Sequence, residues 1–96
     1  MTFVISLVNE ILAYLLRVPT PSRGEKLPTI VIQLLREERL RQNLSMNALA
    51  QRSGLSQSSV SLLESGQRKP TLDTLIRICD ALSVELWKIF KRATER

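Results

Sequence analysis

The chain has no histidine, a single cysteine (Cys79) and three glycines. Without histidine there is no Cys/His set to hold zinc, and a lone thiol forms no internal disulfide. The glycines form no phosphate-cradling loop and the carboxylates are scattered along helix surfaces. This argues against an enzyme and implies no cofactor. Strand-like alternation, internal repeats and low-complexity tracts do not occur either. Aromatic residues are scarce at 4%, yet 44% hydrophobic and 24% charged residues fit a soluble globular chain rather than a disordered tail. The lone cysteine is most simply read with a reducing, cytoplasmic setting.

Ninety-six residues supply one modest core, so one domain is expected. Fourteen Lys plus Arg against nine Asp plus Glu give a net charge of +5, which favours a polyanionic partner such as nucleic acid or an acidic membrane surface. The apolar start, "MTFVISLVNEILAYLLRV", lacks the basic flank of a signal peptide and is interrupted by Ser6, Asn9 and Glu10. It is too short and too polar for a membrane span, so no membrane partner is expected.

In that segment Phe3, Val4, Leu7, Val8, Ile11, Leu12 and Leu15 recur at steps of three and four, the pattern of an amphipathic helix over residues 1–18. "VPTPSRGEKLP" follows, and its prolines predict a linker over 19–28. From Thr29 a series of short helices begins. The first is expected to end near Gln42, before Asn43, with Val31 and Leu35 inward and Ile32 a further candidate. Ser45 reads as the N-cap of "MNALAQR" and Gly54 as its left-handed stop. Ser56 caps "QSSVSLLES", which Gly66 ends. Thr71 caps "LDTLIRICDAL", with Leu72, Leu75, Ile76, Cys79 and Leu82 as its apolar set. A fifth helix over about Glu85 to Arg92 contributes Leu86, Ile89 and Phe90.

Two short helices joined across "RSGLS", the first rich in small residues and the second opening on short polar side chains, match a helix-turn-helix. Three spaced features, "LS.NALAQ.SGLS", "VS.LE.G.RKP" and "TL.TL..I..AL.V", occur together between about Val31 and Phe90. In these the chain resembles the Cro/C1-type (XRE-type) helix-turn-helix family of phage repressors and small bacterial regulators. The resemblance implies an all-α fold: a five-helix lambda-repressor-like domain over 29–96, here preceded by the extra amphipathic helix.

It further implies that the third helix of the domain enters the DNA major groove. The base-facing positions are then Gln57, Ser58, Ser61 and Leu62. A glutamine amide can pair bidentately with adenine, while relatives carry a polar or basic residue where this chain has Leu62, which either meets a thymine methyl or packs elsewhere. Phosphate contacts are implied at Ser45, Met46 and Asn47, and in the loop at Gln67, Arg68 and Lys69. The usual glutamine at the start of the second helix is Met46 here, which removes one expected clamp. Glu64 and Arg39 match a family pair in which glutamate binds an arginine of the first helix, so a structural ion pair is expected.

Trp87 stands where relatives have a polar residue. With Phe3, Leu7, Ile11 and Leu15 it forms a surplus of apolar surface that either closes within one chain or serves a dimer or partner. The expected function is that of a sequence-specific regulator on double-stranded DNA, a homodimeric repressor or autoregulator reading two half-sites about one helical turn apart. The alternative is an antitoxin-like module in which the N-terminal helix grips a second protein.

Overall fold

The computed structural model describes residues 8–12 and 21–96. Five helices carry the domain: α1 (Pro21–Arg41), α2 (Met46–Ser53), α3 (Gln57–Glu64), α4 (Leu72–Leu82) and α5 (Leu86–Glu95). Residues 8–12 are also helical, and no strand occurs among the described residues. α1 packs against α3, α4 and α5, and α2 packs against α3 and α4.

α1 begins eight residues before Thr29, so the stretch expected to be a linker is helical from Pro21 onward. Proline is tolerated at the first helical position, where no intrahelical donor is needed. Pro28 does remove one donor from the ladder. Leu27 and Ile30 on either side of it pack against the core and carry the helix across this defect. Of the amphipathic segment expected over 1–18, only 8–12 is described. Val8, Ile11 and Leu12 there are each about half exposed. Phe3, Leu7 and Leu15 lie outside the described residues.

Three helices start on a hydroxyl cap: Ser45 Oγ accepts from the Ala48 amide, Ser56 Oγ from Ser59 and Thr71 Oγ1 from Thr74. Each satisfies an amide that has no partner inside its own helix. The four links between helices each contain one residue in the left-handed region: Asn43 (φ 58°), Gly54 (φ 74°), Gly66 (φ 80°) and Ser83 (φ 57°). At Asn43, Gly66 and Ser83 the chain closes a Schellman pair; after α4, for example, the Ser83 and Val84 amides return to the Asp80 and Cys79 carbonyls.

The core is one cluster to which each of α1 to α5 contributes, with Val31, Val60, Cys79 and Leu82 the most deeply enclosed side chains. In α4 the apolar set differs from the expected one. Leu72 and Ile76 are exposed at 61% and 44%, and Ile78 takes the inward place beside Leu75, Cys79 and Leu82. Both stripes have helical spacing, and the packing of α1 and α2 selects 75/78/79/82. α5 runs on to Glu95, burying Ile89 and Ala93 and leaving Leu86 and Phe90 half-buried against the core. Among the described residues no helix is long and apolar enough to cross a membrane.

Candidate nucleic-acid interface

α2 and α3 are joined by Gly54, Leu55 and Ser56. Leu49 and Ala50 of α2 and Val60 and Leu63 of α3 are buried, so the two helices share one apolar seam. Gly54 makes the turn: at φ 74° a side chain is strained, and a Cβ there would lie 3.3 Å from Arg77 Nη1. Leu55 packs against the core from the turn itself. The seam fixes which way α3 faces outward.

On the outward side, Gln57, Ser58 and Ser61 are exposed and Leu62 is half-buried. These four side chains line one shallow open surface. Leu62 is not among the apolar residues packed against the core; it belongs to this outer surface. The surface is uncharged but able to donate, accept and make apolar contact, the set needed to discriminate base edges.

Polar and charged groups precede and follow it along the chain. At the start of α2, Ser45 and Asn47 are exposed, whereas Met46 packs against the core. The Met46 side chain is therefore turned inward, and what this position offers outward is its backbone amide. That differs from the full phosphate contact inherited from the resemblance, because a thioether gains more by burial than by facing an anion. After α3, Gln67, Arg68 and Lys69 are all exposed. Arg68 Nη1 donates to Ser59 Oγ at 3.2 Å, and the amides of Gln67 and Arg68 both return to the Leu62 carbonyl, at 3.0 and 3.2 Å. Nothing in the sequence pattern alone marks Ser59 as a partner of Arg68. Its spacing of three from the cap Ser56 is the signal that pairs the two hydroxyls, but the return of Arg68 depends on the turn at Gly66.

The remaining charge on α3 turns away from this surface. Glu64 receives Nε and Nη2 of Arg39 at 2.7 and 2.9 Å, and Arg39 Nη1 donates to the Leu44 carbonyl at 2.7 Å. Both side chains are buried, at 6% and 7% exposure, which makes this an enclosed bidentate pair rather than a surface bridge. Arg36, one turn earlier on α1 and half exposed, lies 3.8 Å from the same carboxylate. Trp87 is 62% exposed, with Lys88 Nζ 5.5 Å from its ring centroid, and Ile11 is exposed in the 8–12 helix.

Among the described residues no group of acidic or cysteine side chains is placed to hold a metal ion. Burial, with a smaller contribution from Asp80, pushes the Cys79 thiol up to about 11, so it is protonated near neutral pH.

A family model described as helix-turn-helix matches residues 35–86, more than half of the chain. An uncharacterized HTH-type transcriptional regulator of Mycobacterium tuberculosis is 41% identical over 59 residues, covering 62% of this chain and 42% of that protein. A second, from Sinorhizobium fredii, is 39% identical over 56 residues, covering 58% and 29%. The match thus spans less than half the length of these curated relatives. Among solved structures, the restriction-modification controller protein C.AhdI from Aeromonas hydrophila is 36% identical with a TM-score of 0.61, covering 67% of this chain and 96% of that one. The clp gene regulator ClgR from C. glutamicum is 25% identical with a TM-score of 0.66, covering 72% and 90%. The curated relatives and ClgR are named as regulators. By the match over α2 and α3, and by the helix pair and turn that occupy those positions, the chain belongs to the Cro/C1-type (XRE-type) helix-turn-helix family of DNA-binding transcriptional regulators.

Proposed function

We propose that this protein binds double-stranded DNA sequence-specifically with α3 in the major groove. Gln57, Ser58, Ser61 and Leu62 meet base edges; Ser45, Asn47, the Met46 amide, Gln67, Arg68 and Lys69 hold the backbone. The observation that carries this reading is the uncharged, continuous outer surface of α3, with Arg68 tied by its guanidinium to Ser59 of the same helix. Attraction comes from the flanks and discrimination from the amide, hydroxyl and methyl groups between them. Glu64 does not oppose it, because its charge is spent on Arg39.

One α3 reads only a few base pairs, so specificity calls for two copies on two half-sites about one helical turn apart. A homodimer acting as repressor or autoregulator needs no more than occupancy of its site. The N-terminal segment 1–18 and Trp87 form the dimer or partner surface in this reading, a division of the chain that the half-exposed Val8, Ile11 and Leu12 support. Those same side chains favour a second reading, an antitoxin-like module whose N-terminal helix grips another protein.

Selection of bound duplexes from a random pool by the purified chain tests the first reading. The expected result is a symmetric pair of half-sites. With roughly five phosphates held per subunit, the log–log salt slope is on the order of −9 for the dimer. Binding that appears only with a co-purifying protein favours the second reading, and a slope near zero contradicts the groove-reading mode.

A further inference from the structure

Ser59 is the serine of α3 that leaves the reading surface: it is half-buried, whereas Ser58 and Ser61 are exposed. Its Oγ accepts twice, from the Ser56 hydroxyl at 2.9 Å and from Arg68 Nη1 at 3.2 Å. Both lone pairs of the hydroxyl are therefore engaged. Ser56 is itself fixed, since its Oγ accepts the Ser59 amide at 3.0 Å as the cap of α3. The main chain of Arg68 is pinned as well, through its amide on the Leu62 carbonyl and the left-handed turn at Gly66. An arginine in an exposed loop is thus held at both ends, its guanidinium tied back to the first turn of the helix that precedes it.

We infer that Ser59 is a positioning residue: through the Ser56–Ser59–Arg68 relay it holds the Arg68 guanidinium beside the start of α3, ready for a phosphodiester oxygen of the duplex. Only one of the five guanidinium donors is used on Ser59, which leaves most of the planar fork free for an anion. A tethered side chain also surrenders fewer rotamers on binding than a free one. Ser59 accordingly contributes to affinity without touching DNA. This role rests on the DNA-binding reading above, whereas the relay exists in the free protein and is measurable there.

The test uses the full chain and a duplex selected by the wild type. Affinity is measured over a salt series for S59A, S59T, R68A and the S59A/R68A double variant. S59A is expected to weaken binding by roughly three- to tenfold and to flatten the salt slope part of the way to that of R68A. S59T, which keeps the hydroxyl, restores both, and the double variant binds no more weakly than R68A alone. Additive losses in the double variant, or full affinity in S59A, overturn the proposal. In parallel, the Arg68 side-chain NMR signal of the free protein should be restricted in wild type and S59T and mobile in S59A. A signal already mobile in the wild type overturns the relay whether or not DNA binds. A wild type that shows no salt-dependent duplex binding overturns the DNA reading and the role with it, while the restricted Arg68 signal separates that failure from a failure of the relay.

Discussion

Arg39 of α1 and Glu64 of α3 meet in a buried bidentate pair, and the third guanidinium nitrogen of Arg39 closes on the Leu44 carbonyl. One side chain thus joins the helix that frames the domain, the end of α3 and the chain between α1 and α2. Breaking such a pair from one side strands a buried charge.

Glu64→Ala is therefore expected to destabilise the fold by about 3 kcal/mol, the lower end of the range for uncoupled buried pairs, because Leu44 still accepts one of the arginine donors. Duplex affinity should fall with it, since the end of α3 loses its anchor. Urea unfolding of wild type and variant measures the first effect. An unchanged midpoint would remove the pair from the account of stability.

Leu62 and Gln57 make separable predictions because they share a surface without sharing chemistry. Leu62 lies outside the core, so Leu62→Ala should change stability by no more than about 0.5 kcal/mol. In a repeated selection it should lose preference for thymine at one position of the half-site. Gln57→Ala should lose preference for adenine at another, at a cost of roughly 1–3 kcal/mol. If Leu62→Ala instead lowered the melting temperature and left the selected sequence intact, its role would be packing.

Pro28 tests the corrected start of α1. In a helix interior proline costs roughly 3 kcal/mol relative to alanine, and less near an end that can fray. Pro28→Ala should thus stabilise the domain by about 1–2 kcal/mol and raise its helical circular dichroism signal. A linker over 19–28 would show neither change.

That proline also shows where reading the sequence reaches its limit. The hydroxyl caps, Gly54 and the seam of α2 on α3 were legible because each is a local device with a fixed residue type and spacing. The prolines of 19–28 point to a linker, while the packing of Leu27 and Ile30 that offsets Pro28 appears only in the packed domain. Leu72 and Ile76 lie on a valid helical stripe, and only the positions of α1 and α2 choose the neighbouring one. At Met46 the departure from the usual glutamine is plain in the sequence, while the packing of its side chain against the core is visible only in the fold. The role of Ser59 is not legible in the sequence, because its partner Arg68 is brought back by a turn and not by helical spacing.

The last prediction concerns pH. Glu38 accepts from the Arg41 guanidinium and from Gln42 Nε2 at 2.9 Å, and the same Gln42 nitrogen donates to the Leu82 carbonyl at 2.8 Å, linking the end of α1 to the end of α4. These hydrogen bonds, Arg41 first and Gln42 second, lower the Glu38 carboxyl from its ordinary 4.5 to about 2. A carboxyl whose folded value is depressed gives stability that is complete above the unfolded value and disappears as pH falls through the folded one, here between about 4.5 and 2. Arg41 is 70% exposed, so solvent screening reduces the loss to about 1 kcal/mol. Urea unfolding across pH 7 to 2 should show Glu38→Gln losing less stability on acidification than wild type, by about that amount. Raising the salt should shrink the difference, because the exposed Arg41 contribution is screened while the Gln42 bridge to Leu82 is not. Parallel curves for wild type and Glu38→Gln would show that Glu38 contributes nothing to acid sensitivity.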